Sequence, residues 1–190
     1  MSDVLKIWVH YNPTECRDQS AQVLQKLLMH YTNSHQPLKI MRTEKGKPFV
    51  HEAIEFSYSH SRGVYVYCFS DSSSVGVDIE KIDTQRPCLK LARRYFHKQE
   101  LMQLEKLPAQ ARTQLFFRLW TAKEALCKYE GGVLWSYLGV NLLSQVNDMP
   151  SALHQQFAGI RFYPVLRFNG FSFTVAIKRD VKNCVINRLG

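Results

Sequence analysis

Gly76-Val77-Asp78-Ile79-Glu80 sets two carboxylates two residues apart inside an apolar run that opens at Val75. Alternation of this kind reads as a strand, and residues two apart in a strand share a face. Asp78 and Glu80 then project together while Val77 and Ile79 turn to a core. Two like charges so placed repel, and a cation or paired lysines would relieve them. Some forty residues on, Trp120-Thr121-Ala122-Lys123-Glu124-Ala125-Leu126-Cys127-Lys128 carries a third carboxylate in a helical stretch. On a wheel of about 100° per residue, Phe116, Leu119, Leu115, Ala122, Leu126 and Cys127 fill one apolar arc. Arg118, Thr121 and Gln114 lie opposite. Glu124 and Lys128 fall on the border, one turn apart, either as an ordinary (i, i+4) pair worth about 0.2–0.5 kcal/mol or as the wall of a cleft. Lys123 lies within the apolar arc, where it either snorkels to water or serves a site. Charges avoid apolar surroundings unless paired. Three carboxylates in such settings are what a hard divalent cation with a phosphate ligand would need.

Working outward, Leu5 to Tyr11 reads as a strand ending at Asn12-Pro13, and Thr14 to Tyr31 as a helix with Thr14 as its N-cap. Lys45-Gly46-Lys47-Pro48 is a loop signal. Glu55 to Ser59 and Val64 to Ser70 form a hairpin through His60-Ser61-Arg62-Gly63, and a polar turn leads into Val75 to Glu80. Helices follow at Leu89 to Phe96, Lys98 to Leu107 and Ala109 to about Tyr129, the last stopped by Glu130-Gly131-Gly132. The remainder is β-like: Val140 to Leu143, then Arg161 to Phe168 and Phe171 to Lys178 joined at Asn169-Gly170. The pattern implies an α+β fold of two similar lobes related by a pseudo-twofold. Each lobe has a long helix packed on a small antiparallel sheet, with ligand at the interface between them.

The 190 residues carry a net charge of +9, so an anionic partner is expected: nucleic acid, a phosphorylated small molecule or an acidic protein. The five cysteines are an odd number without C-x-x-C spacing, which reads as reduced thiols rather than zinc ligands. No run approaches a membrane span, and the N-terminus lacks the pattern of a secretory signal, so the cytoplasm is the expected compartment.

These residues resemble the 4′-phosphopantetheinyl transferases, specifically the monomeric, two-lobed surfactin-type group. That family shows G-(I/V/C)-D-(I/V)-E followed by W-x-x-K-E-(A/S)-x-x-K, matched here by Gly76 to Glu80 and Trp120 to Lys128. Gly46-Lys47-Pro48 and Phe56-Ser57-Tyr58-Ser59-His60-Ser61 occur upstream in the family order. Arg94-Tyr95-Phe96-His97-Lys98-Gln99-Glu100 matches R-(F/Y)-F-x-x-x-E between the acidic motifs. The resemblance covers about residues 40 to 135. Ser57 stands where the family usually has Asn, and fewer residues precede the first long helix than is usual, so contacts to a 3′-phosphate are expected to be sparser.

The resemblance implies a holo-[acyl-carrier-protein] synthase activity: transfer of 4′-phosphopantetheine from coenzyme A to a serine of an apo carrier protein, releasing 3′,5′-ADP. It implies an N-terminal lobe, residues 1–74, for nucleotide contacts, and a C-terminal lobe, residues 75–190, bearing metal and catalytic motifs. Asp78, Glu80 and Glu124 would hold Mg²⁺. His60 and Lys123 would contact the pyrophosphate, with Ser59, Lys47 and Arg17 on the nucleotide. Glu124 would take the serine proton and Lys128 would stabilise the transferring phosphate. Glu100 is either a family site position or an exposed helix-start glutamate. The partner would be an acidic carrier protein of fatty acid, polyketide or peptide synthesis, steered by the basic surface, with no nucleic acid or membrane involved. Two alternatives stand beside this: a basic nucleotide- or RNA-binding module, and an inactive homologue that binds coenzyme A or a carrier.

Overall fold

In the computed structural model, described for residues 4–146, 159–165, 169–178 and 183–189, two small sheets each carry a long helix. β1 (Val4–Tyr11), β4 (Glu55–Ser61), β5 (Val64–Ser70) and β9 (Asn183–Leu189) form the first, in the order β4-β5-β1-β9. The β4–β5 and β5–β1 pairs are antiparallel, whereas β9 runs parallel to β1. β6 (Val75–Lys81), β7 (Arg161–Pro164) and β8 (Phe171–Ile177) form the second, antiparallel throughout, in the order β6-β8-β7. β2 (Met41–Arg42) and β3 (Pro48–Phe49) make a small hairpin around the Lys45-Gly46 turn. The class is mixed α+β, with helices on small, mainly antiparallel sheets.

α1 (Arg17–Thr32) covers one face of the first sheet through Leu24, Leu27 and Leu28, which pack on Phe56, Tyr65, Tyr67 and Phe69. On the other face Leu5, Ile7, Val66 and Cys68 meet Val75, Val77, Ile79, Phe173 and Val175 of the second sheet. α4 (Ala109–Glu130) lies on the far side of that second sheet, with α2 (Cys88–Tyr95) and α3 (Lys98–Lys106) packed around it. Beyond it come the short helices α5 (Trp135–Leu138) and α6 (Leu143–Val146). α4 stops where expected: Gly131, at φ 72°, takes the left-handed cap and its N–H reaches the Cys127 carbonyl. Among the described residues no helix is long and apolar enough to cross a membrane.

Four local expectations change. The first helix begins at Arg17, with Cys16 at the N-cap and no side-chain cap. Thr14 Oγ1 instead donates to Asn12 Oδ1, because the chain turns at Glu15 (φ 52°) before the helix can start. Val140 to Leu143 is not a strand. Its Val140 carbonyl and Leu142 N–H are taken by side chains from α4 and α3, so the segment connects α5 to α6. Asn183–Leu189, for which no strand was expected, pairs along β1 from Val4 to His10. The strand expected to run to Phe168 ends at Pro164, and residues 166–168 lie outside the described residues.

One glycine sets the distance between strand and helix. A Cβ on Gly76 would stand 2.0 Å from the Ala125 carbonyl oxygen and 2.5 Å from the Tyr129 nitrogen. Only a residue with no side chain permits that approach. It brings the Asp78 face of β6 directly under α4.

Candidate active site

Asp78 and Glu80 leave β6 on the face that α4 covers, and Glu124 reaches them from α4. One oxygen from each of the three carboxylates falls within 4.8 Å of the other two. Asp78 is 2% exposed. Its Oδ1 accepts from Lys128 Nζ at 2.7 Å and from Ser59 Oγ at 2.7 Å, while its Oδ2 is buried and has no hydrogen-bond partner among the described residues. Glu80 Oε2 accepts from Ser61 Oγ at 3.0 Å, and Glu124 Oε1 from Trp120 Nε1 at 2.9 Å. Lys128 does not pair with Glu124 one turn away; it crosses to Asp78 and also reaches Ser59 Oγ at 2.8 Å.

The electrostatics follow from this crowding. Burial, then the carboxylates of Asp78 and Glu80, push Glu124 up to about 7, with Lys128 pulling the other way. Glu80 is raised as well, by burial first and Asp78 second. A concentration of hard oxygen donors, one of them without a hydrogen-bond partner among the described residues and two with pKa values raised by burial and by their carboxylate neighbours, fits a hard divalent cation such as Mg²⁺. Beside the carboxylates, Arg42, Lys45, Lys47 and Lys128 line a pocket of about 240 Å³. Lys47 is held there by Glu55 Oε2 at 3.4 Å, the Tyr129 carbonyl at 3.1 Å and Ser74 Oγ. Burial lowers its pKa, which Glu55 partly offsets. A basic pocket adjoining an acidic cluster suits a phosphorylated ligand that bridges the two.

The comparison with known families points the same way. The profile described as the 4′-phosphopantetheinyl transferase superfamily matches residues 74–176, a little over half of the chain, including all three carboxylates. The chain belongs to that superfamily. It is 34% identical over 110 residues to the 4′-phosphopantetheinyl transferase gsp of Aneurinibacillus migulanus, covering 57% of this chain and 45% of the relative. To Sfp of Bacillus subtilis it is 36% identical over 96 residues, 50% and 42% of the two chains. To AcpT of Escherichia coli K12 it is 33% identical over 118 residues, 61% and 60%. The chain thus spans about half the length of the relatives it matches.

Not every expected residue of this superfamily member comes to the carboxylates. Lys123, expected at the pyrophosphate, is wholly buried and pairs with Glu100 at 2.8 Å, the latter also wholly buried. Its ammonium also donates to the Val140 carbonyl and sits 4.9 Å from the Phe96 ring centroid. An ammonium in a core needs such partners, and here they take the place of the snorkelling to water that the apolar arc also allowed. Glu100 is correspondingly neither exposed nor at the site: it accepts from the N–H groups of His97 and Leu142 and fixes the connection before α6. His60 is exposed on the opposite face of β4 from Ser59 and stacks on Tyr65, with centroids 4.8 Å apart. Arg17 opens α1, and its side chain lies outside the described residues.

Three contributors were not read from the sequence. Ser61 holds Glu80, Trp120 holds Glu124, and the Arg86 guanidinium lies 4.9 Å from the Trp120 ring and draws the Glu80 pKa down. Trp120 stands one helical turn before Glu124, a spacing that carries the signal. Arg86 precedes α2 in a connecting segment, where no pattern marks it.

Proposed function

We propose that the protein transfers 4′-phosphopantetheine from coenzyme A to a serine hydroxyl of an acidic carrier protein, releasing 3′,5′-ADP. The observation that carries this is the convergence of Asp78, Glu80 and Glu124 beside the basic pocket of Lys47 and Lys128. A Mg²⁺ ion held by the three carboxylates would neutralise charge on the pyrophosphate and polarise it. The basic pocket takes the nucleotide, with Lys47 foremost; His60 and Arg17 are the further candidates toward it. Residues 1–74 would in this scheme serve chiefly the nucleotide, and residues 75–190 the chemistry.

In the transfer a bond forms between the serine oxygen and the β-phosphorus, and the bond from that phosphorus to the bridging oxygen breaks. The bridging oxygen leaves with the electron pair as 3′,5′-ADP. Glu124 takes the serine proton. Lys128, whose ammonium already lies between Asp78 and Ser59, supplies positive charge where the transferring phosphate must pass. The +9 net charge favours encounter with an acidic partner.

The test is to incubate the protein with coenzyme A, Mg²⁺ and a panel of apo carrier proteins, then read intact masses. The expected result is a phosphopantetheine adduct on the carrier serine of at least one. No adduct on any carrier, together with steeply salt-dependent RNA binding, would overturn the proposal in favour of a nucleic-acid module.

A further inference from the structure

The two sheets meet at β4 and β6, which belong to different sheets and share no strand ladder. Besides the apolar packing between the sheets, these two strands are joined by a row of serine hydroxyls. Alternation along β4 sends Ser57, Ser59 and Ser61 to one face and Phe56, Tyr58 and His60 to the other. Ser57 Oγ accepts from the Val77 N–H at 3.1 Å. Ser59 Oγ meets Asp78, and Ser61 Oγ meets Glu80 while accepting from the Lys81 N–H at 3.0 Å. Serines two apart on one strand thus face carboxylates two apart on the other.

The direction of each hydroxyl proton follows from its second neighbour. Lys128 Nζ and the Lys81 backbone nitrogen can only donate, so Ser59 and Ser61 must accept from them. Each serine has one proton, and the remaining neighbour in each case is a carboxylate oxygen. Ser59 and Ser61 are therefore obligate donors to Asp78 Oδ1 and Glu80 Oε2. Each engages one oxygen of its carboxylate, and at Asp78 the other oxygen is the buried one with no partner among the described residues.

We propose that Ser59 and Ser61 are positioning residues for the acidic site, fixing the rotamers of Asp78 and Glu80 so that their free oxygens converge with Glu124 on a divalent cation. The inference rests on the cation reading of the site. Partners of this kind behind a ligating side chain typically change metal affinity by about 10- to 100-fold. Ser57 is the internal control. It belongs to the same seam but touches a backbone N–H and no carboxylate.

The probe is Mn²⁺, titrated into the full chain without substrate and followed by the electron paramagnetic resonance signal of the free ion. The titration separates the number of sites, which tracks the folded fraction, from their affinity. Ser59→Ala and Ser61→Ala are expected to weaken Mn²⁺ about tenfold or more with one site retained. Ser57→Ala is expected to lower the thermal midpoint while leaving the affinity as in the unaltered protein. Should Ser59→Ala fail to fold, Ser61→Ala, near the half-exposed end of β4, carries the test. Unchanged affinity in Ser61→Ala, in a protein whose site is lost in Asp78→Asn, overturns the inference and leaves the cation reading standing. Equal weakening by all three serine variants also overturns it, because the seam would then act only through general structure. An unaltered protein with no Mn²⁺ site removes the cation reading and this inference together.

Discussion

Asp78→Asn is expected to lower the rate of carrier modification by about 1000-fold while the protein stays folded. A ligated cation stabilises developing charge by several kcal/mol, and each 1.36 kcal/mol is a factor of about ten in rate. Asparagine keeps the shape and an acceptor for Ser59 but removes the charge that a cation needs. The usual penalty for breaking a buried ion pair is softened here. Lys128 is 30% exposed along its side chain and can turn to water, whereas Asp78 is only 3% exposed and leaves no charge behind. Neutralising Asp78 also relieves the repulsion that it exerts on Glu80 and Glu124. Initial rates of holo-carrier formation beside thermal melts give the comparison. More than a tenth of the original rate in a folded variant would remove Asp78 from the machinery.

Stability without added metal is expected to fall as pH rises toward neutrality, opposite to the usual behaviour of a salt-bridged carboxylate. Glu124 titrates at about 7 in the folded chain, against about 4.3 unfolded. Between those values the folded state binds more protons than the unfolded one, so unfolding free energy decreases with pH. The loss starts near the unfolded value, is complete above about 7, and is on the order of 3 kcal/mol. Glu124→Gln should flatten that slope while keeping an acceptor for Trp120. Magnesium opposes the trend because it binds the charged carboxylates. At about 100-fold over its dissociation constant it adds about 2.7 kcal/mol, several degrees for a chain of this size, and more at pH 8 than at pH 5.5. Melts of both proteins at the two pH values, with and without Mg²⁺, test this. An unchanged slope in Glu124→Gln, or equal Mg²⁺ stabilisation at both pH values, would contradict it.

Much of the site was legible because it is local. The strand of Asp78 and Glu80 and the helix of Glu124 and Lys128 follow from periodicity within each segment, and Gly131 marks the helix end. What escaped depends on contacts distant in sequence. Lys123 stood out inside an apolar arc, yet its partner Glu100 comes from another helix. Val140 to Leu143 reads as β-like from its apolar residues, but Lys123 and Glu100 occupy its backbone groups. β9 gains its place only by pairing with β1 at the other end of the chain. Thr14, after Pro13, reads as the N-cap, and the turn at Glu15 moves the helix start to Arg17. The Ser57, Ser59, Ser61 alternation is present in the sequence, but only the adjacency of β4 and β6 gives it meaning.

A cation held by Asp78, Glu80 and Glu124 should bind jointly with the pyrophosphate of coenzyme A, and the two affinities must then be coupled reciprocally. Calorimetric titration of coenzyme A into the protein, with and without Mg²⁺, measures that coupling directly. The expected result is binding about tenfold or more tighter with Mg²⁺ in the unaltered protein, and no such gain in Asp78→Asn. Coenzyme A binding that ignores Mg²⁺ in the unaltered protein, or an equal gain in Asp78→Asn, would contradict the placement of the reaction at these three carboxylates.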